Sequence, residues 1–259
     1  MPPLQECFGI VAERTLDRCV WNFGPRFTGR LQLKVHPVPK GQALQYNLPQ
    51  RYTSSSSYHV RSIDVSIITP QSSLKRLRAE LSRRLESQFP DADVCFKLTE
   101  DSGDHTRLPI IQVAHSEAGI RWGRGFHRSM PRKTKRQDTF IAEISKALCG
   151  ELVEEVSLGG AVDEKLQDQL VPVQALTNDL SSFSRDDSPI QSAGGNSLVE
   201  PIESFSINDK NMRRDKAQEQ FGYGSEHTRL VGWMASEPLP RVEFYSRGDS
   251  VRGVGSSIS

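Results

Sequence analysis

Cysteine is scarce in this chain: Cys7, Cys19, Cys95 and Cys149 stand far apart in 259 residues, with no Cys-x-x-Cys pair and no clustered histidines. That spacing supplies no zinc site and no disulfide framework, so the thiols are expected to be reduced, in an intracellular protein. No apolar run approaches the roughly 20 residues a membrane helix needs. The first residues, Met1-Pro2-Pro3-Leu4-Gln5-Glu6, lack the basic-then-apolar order of a secretory leader. The expectation is a soluble protein of the nucleus, nucleoplasm or cytosol, neither secreted nor membrane-bound. Charge of one sign is missing as well. Lys and Arg number 33 against 32 Asp and Glu, a net charge of +1, so no global field draws the chain to nucleic acid or lipid. Any electrostatic attraction has to be local. No internal repeat stands out.

What is present is globular but somewhat polar. Hydrophobic residues make up 36% and charged residues 25%, which fits one large or two ordinary domains joined by at least one disordered segment. Strands are expected at Ile10 to Arg18 and Arg30 to Val35, the second because Leu31, Leu33 and Val35 alternate with Gln32 and Lys34. Phe23 to Gly29 reads as the loop between them. A polar linker with Ser54 to Ser57 leads to a strand at Val60 to Thr69. Ser72 or Ser73 then caps a helix whose Leu74, Leu77, Leu81, Leu85 and Phe89 recur at steps of three and four. After Pro90, strands follow at Val94 to Leu98, Pro109 to Ala114 and Ile120 to Phe126. A second helix, about Gln137 to Val156, turns Phe140, Ile141, Ile144, Leu148 and Leu152 inward. Residues 58–156 thus read as strand, helix, three strands, helix.

A third helix follows Gly159-Gly160, with Val162, Leu166, Leu170 and Val173 in one narrow sector and Lys165, Asp168, Gln169 and Pro172 on the flank and back. Pro172 has no backbone N–H, so it denies the Asp168 carbonyl its helical partner. A solvated helix start with favourable acids at its N-terminus would account for Asp163 to Gln169 in structural terms alone. Ser181 to Gly224 has the composition of a long flexible insertion. A helix at Ser225 to Met234 and a strand at Arg241 to Tyr245 close the chain.

The run "GGAVDEKLQDQLVPVQALTN", from Gly159 to Asn178, resembles the RNA 3'-terminal phosphate cyclase family, which carries a Gly-Gly-x-Val-Asp-Glu-Tyr-Leu-x-Asp-Gln-Leu element. "FGIVAERTLDRCVWNFGPRFTGRLQLKVHPV" is similar to the strand, glycine loop and strand before that family's insert domain, and "SEHTRLVGWMASEPLP" to its His-Thr helix. The segments fall in the family's order and cover about the C-terminal two thirds of a full-length member. The resemblance implies an α/β (α+β) fold of repeated split strand-helix units with four-stranded sheets, plus a small thioredoxin-like insert domain. Its implied divisions are 1–43 for the N-terminal part of the core, 44–157 for the insert, and 158–259 for the C-terminal part with a disordered insertion at about 181–224.

The activity implied is ATP-dependent conversion of an RNA 3'-phosphate to a 2',3'-cyclic phosphate through a histidine-AMP intermediate, with a divalent metal such as Mg2+ accompanying ATP and no metal site on the protein. His227 matches the family's histidine. A near-neutral imidazole suits such a nucleophile. Lys165, Leu166, Gln167, Asp168 and Gln169 match its nucleotide contacts. His36, His59, His105, His115 and His127 carry no such neighbours and read as ordinary histidines. Independently of the resemblance, Arg121 to Arg136 is a basic stretch without a carboxylate, interleaved with Trp122, Phe126 and His127. Arg124, Arg128, Arg132 and Lys133 are its candidates for an RNA partner. A solvated loop before a helix accounts for the stretch equally well.

Departures from the family are specific. Lys165 replaces a tyrosine, Leu230 a threonine, and Pro25-Arg26-Phe27-Thr28-Gly29-Arg30 keeps little of a Pro-Lys-Gly-Gly-Gly-Glu loop. The family's glycine-rich N-terminal part has no counterpart here. Two other readings therefore stand beside the enzyme: a catalytically inactive cyclase-like scaffold binding RNA or pre-ribosomal particles, and a truncated gene product whose full chain starts upstream. Protein partners and oligomeric state are not specified by the sequence.

Overall fold

The structure is a computed structural model, and it describes residues 7–18, 29–52, 58–103, 107–131, 134–183, 226–245 and 250–255. It is a mixed α/β chain that divides into two compact units. One comprises Ala12–Val35 and Gln50–Asp163; the other comprises Met1–Val11, His36–Pro49 and Glu164–Ser259.

The first of these units holds a hairpin and a helix-backed sheet. β1 (Ala12–Arg18) pairs antiparallel with β2 (Arg30–Val35), Leu16 opposite Leu31 and Arg14 opposite Leu33. The alternation in β2 leads one to expect a half-buried strand. Instead every residue of β2 is exposed, because no described layer packs on its apolar side. The sheet is built from β3 (Val60–Thr69), β4 (Asp93–Asp101), β5 (Arg107–Ser116) and β6 (Arg121–Ser129) in the order β4-β3-β5-β6. β3 and β4 run parallel, joined by α1 (Gln71–Gln88); the other pairings are antiparallel. α1 and α2 (Thr134–Ser157) contact each other and the same sheet, α1 toward β4 and α2 toward β6.

Apolar rhythm dictates that layer. Ile63, Val65 and Ile67 alternate along β3, while Leu77, Leu81 and Leu85 recur at four-residue steps along α1, and all six are fully buried. Each such side chain contributes about 1.5–3 kcal/mol relative to exposure. α2 adds Ile141, Ile144, Leu148 and Leu152, as its periodicity predicts. The start of α1 differs from expectation: Pro70 is the N-cap, without a side-chain cap bond, and the Ser73 hydroxyl is buried and donates to the Met130 sulfur at 3.3 Å.

In the second unit, α3 (Glu164–Leu176) leads to β7 (Leu180–Ser182), then come α4 (Glu226–Ser236), β8 (Glu243–Tyr245) and β9 (Ser250–Arg252). The three short strands form an antiparallel sheet in the order β7-β9-β8. Val171 and Ala175 of α3 meet Val242, Phe244 and Val251, with Val231 and Ala235 of α4 packed against them. An aromatic triad of Phe8, Tyr46 and Phe183 forms a further cluster, with ring centroids 5.4 to 5.9 Å apart. β7 and the buried Phe183 fall at the front of the stretch expected to be a flexible insertion, so order extends at least to residue 183. The remainder of that stretch, 184–225, lies outside the described residues.

Candidate functional site

Helix α3 carries most of the candidates, and its inward face differs from the one apolar spacing suggests. Gln167 (3% exposed) and Asp168 (7%) are buried together with Leu170, Val171, Gln174 and Ala175, whereas Leu166 and Val173 are half-buried. Asp168 is thus not on the back of the helix, and the reading of Gln167 to Gln169 as simply solvated is corrected for its first two members. For Asp168 the physical reason is a partner inside. The Thr228 hydroxyl of α4 donates to Asp168 Oδ1. Gln174 Nε2 donates to Ser181 Oγ at 3.1 Å, and Ser181 Oγ donates to the Val251 carbonyl at 3.1 Å. A buried polar group with a partner is tolerated where an unpartnered one is not.

Pro172 sits inside α3 on its exposed side, and the helix continues through it to Leu176. Its missing N–H therefore falls opposite the carbonyl of Asp168, one turn back. Lys165 and Gln169, four residues apart on one side of α3, are exposed. Asp163, just before the helix, points its Oδ2 elsewhere, accepting the backbone N–H of Gly123 on β6 at 2.8 Å.

α4 begins at Glu226, and His227, immediately before the bonded Thr228, is exposed. α3 and α4 pack against each other along their lengths. The structure therefore brings Asp168 to the residue next to His227. Among the described residues, no group of three or more His, Cys, Asp or Glu side chains could hold a metal ion.

Two close approaches around this helix were not legible beforehand. A Cβ at Gly253 would stand 2.3 Å from the Thr177 carbonyl oxygen and 2.5 Å from that of Gln174, so only glycine fits beside the end of α3. Gly255 adopts φ +63°, and a Cβ there would lie 2.4 Å from Asn178 Oδ1. The pair Gly253-Val254-Gly255 is the signal that could have marked this approach. The same unit contains an open cleft of 950 Å³, lined by residues including Phe8, His36, Val38, Gln42, Asn47 and Asn178, and by none of Lys165 to Gln169 or His227. Near it, burial pushes the Tyr46 hydroxyl well above its ordinary range, with Cys7 adding to the rise, and the hydroxyl donates to the Ser182 carbonyl.

The basic candidates belong to the other unit and divide by strand alternation. Trp122, Arg124, Phe126 and Arg128 share the helix-covered side of β6. Trp122 is fully buried, edge-on to Tyr58, so it offers no surface to a base. Arg124 pairs with Glu155 of α2, whose side chain is wholly buried, so the carboxylate missing from the basic stretch comes from elsewhere in the chain. Arg128 is exposed, its guanidinium 5.8 Å from the Phe126 ring centroid, and Phe126 meets Phe140 edge-on at 6.2 Å. Arg132 and Lys133 lie outside the described residues, as do Cys19 and the Pro25 to Thr28 part of the loop. Neither a protein-family model nor a curated protein matches the chain.

Proposed function

We propose that this protein is a member of the RNA 3'-terminal phosphate cyclase family, with His227 as the nucleophile toward ATP. The observation that carries the reading is the Thr228 to Asp168 hydrogen bond, which ties the helix bearing His227 to the acid-and-amide helix within one compact unit. The site residues then divide by role. Asp168 is buried and engaged, so it positions α4 rather than meeting nucleotide. Lys165 and Gln169 are exposed, an ammonium for phosphate and an amide for ribose or base. His227 attacks the α-phosphorus of ATP: a P–N bond forms, the bond to the β-phosphate oxygen breaks, and pyrophosphate leaves. An RNA 3'-phosphate oxygen then takes AMP from the imidazole. The neighbouring 2'-hydroxyl closes on the 3'-phosphorus, AMP departs, and the proton of the hydroxyl passes to solvent.

The β-α-β-β-β-α order, with both helices on one face of a mixed four-stranded sheet, supports reading the middle of the chain as that family's thioredoxin-like insert. Arg128 over Phe126, beside Phe140, supports RNA contact at the end of β6. Incubation with α-labelled ATP and Mg2+ should yield an acid-labile protein adenylate that His227→Ala abolishes. Absence of label in the unmutated protein rejects the enzyme. Salt-sensitive RNA retention surviving alone would leave the inactive RNA-binding scaffold.

A further inference from the structure

The hairpin of β1 and β2 is half of a sheet, and its edges differ. Leu16, Leu31, Leu33 and Val35 lie on one side of it, exposed by 58%, 58%, 53% and 55%. Among the described residues no third strand joins it. A two-stranded ribbon is marginal in water, and three or more strands with an apolar side are needed for independent stability. The His36 N–H donates to the Val11 carbonyl at 2.9 Å, and the register pairs Ala12 with Val35. Antiparallel alternation then directs the N–H and C=O of Leu31, Leu33 and Val35 away from β1, toward the outer edge of β2.

We propose that this protein forms a symmetric dimer in which β2 pairs antiparallel with β2 of a second copy, two-fold related at Leu33, making a four-stranded sheet. Charge selects the edge and the register. Centred on Leu33, Leu33 meets its own copy, Leu31 meets the second copy's Val35, and Gln32 meets its Lys34. Centred on Gln32, Arg30 would oppose Lys34; centred on Lys34, two lysines would meet. The β1 edge offers no such register. Centring on residues 13, 14, 15 or 16 opposes Glu13 to Glu13, Arg14 to Arg14, Glu13 to Asp17 or Arg14 to Arg18 respectively. Centred on Leu31 or Val35 the two strands would overlap over half of β2 or less, so the Leu33 register is the one that engages most of the strand free of like charges and supplied with outward backbone donors and acceptors. It does not depend on the cyclase reading.

Sedimentation of the full chain should show a concentration-dependent dimer. Leu33→Cys should cross-link to itself under a mild oxidant while Leu31→Cys, displaced from the axis, does not. Leu33→Pro removes one of the outward N–H groups and should weaken association by about tenfold or more. Should that variant fail to fold, Gln32→Glu gives the opposite reading: two new contacts to Lys34 across the axis and a tighter, salt-sensitive dimer. A monomer at all concentrations, even with β2 amides protected from exchange by another segment of the same chain, overturns the proposal. So does a dimer that cross-links at positions other than Leu33.

Discussion

Helices α1 and α3 obey different rules, though each is laid on a small sheet. α1 buries Leu77, Leu81 and Leu85, whose partners are other hydrocarbons, so position along the helix alone says which side goes in. α3 buries Gln167, Asp168 and Gln174 among its apolar residues, and two of these are held by Thr228 and Ser181. The first kind of helix is specified by area, the second by pairing. Area is forgiving of exchange between hydrocarbons of like volume; pairing is not, since removing one partner leaves the other desolvated.

The contrast breaks or sharpens under substitution. Leu81→Ala should have the largest effect, a loss of about 2–5 kcal/mol in chemical denaturation; a loss below 1 kcal/mol would mean α1 is not a packed layer. Thr228→Val keeps the shape but withdraws the hydroxyl from Asp168, and a loss of about 1–3 kcal/mol is expected. Unaltered stability there would sink the idea that α3 and α4 are joined through this pair. At the low end, Gln169→Ala on the exposed side of α3 should change stability by no more than about 0.5 kcal/mol, while reducing adenylate formation if the amide meets nucleotide.

α2 combines both rules and gives a pH test. Its Cys149 is wholly buried and accepts from Gln112 Nε2 at 3.5 Å; burial, the first cause, raises its thiol above the ordinary value of 9.0. The folded state holds a proton that the unfolded state releases, so this contribution is complete below pH 9.0 and declines as pH rises beyond it. Cys149→Ala should flatten the alkaline limb of a melting-temperature profile. An unchanged limb would assign the decline to other groups, Tyr46 among them.

These rules also explain what the sequence disclosed. β3, α1, β5, β6 and α2 were legible because runs such as Ile63-Asp64-Val65-Ser66-Ile67 announce their own buried side. The inward turn of Asp168 was not, because its partner Thr228 is 60 residues away and a carboxylate gives no local sign of a distant hydroxyl. Arg124 misled for the same reason: its neighbours in sequence are basic, while Glu155 arrives from α2. The short β7 and β9 were hidden in Ser-rich sequence, where three residues each are too few to show a period. The hairpin shows the converse, a clear alternation without the cover it leads one to expect.

Asp163 has an effect beyond its own bond. By holding the amide of Gly123 it blocks β6 two residues from its start, and a side chain at Gly123 would come within 3.3 Å of that carboxylate oxygen. The other margin of the four-stranded sheet, β4, is guarded differently, by the outward Asp93, Lys97, Glu100 and Asp101. A sheet plugged on one side and fenced by charge on the other resists runaway association while a nascent chain is still incomplete.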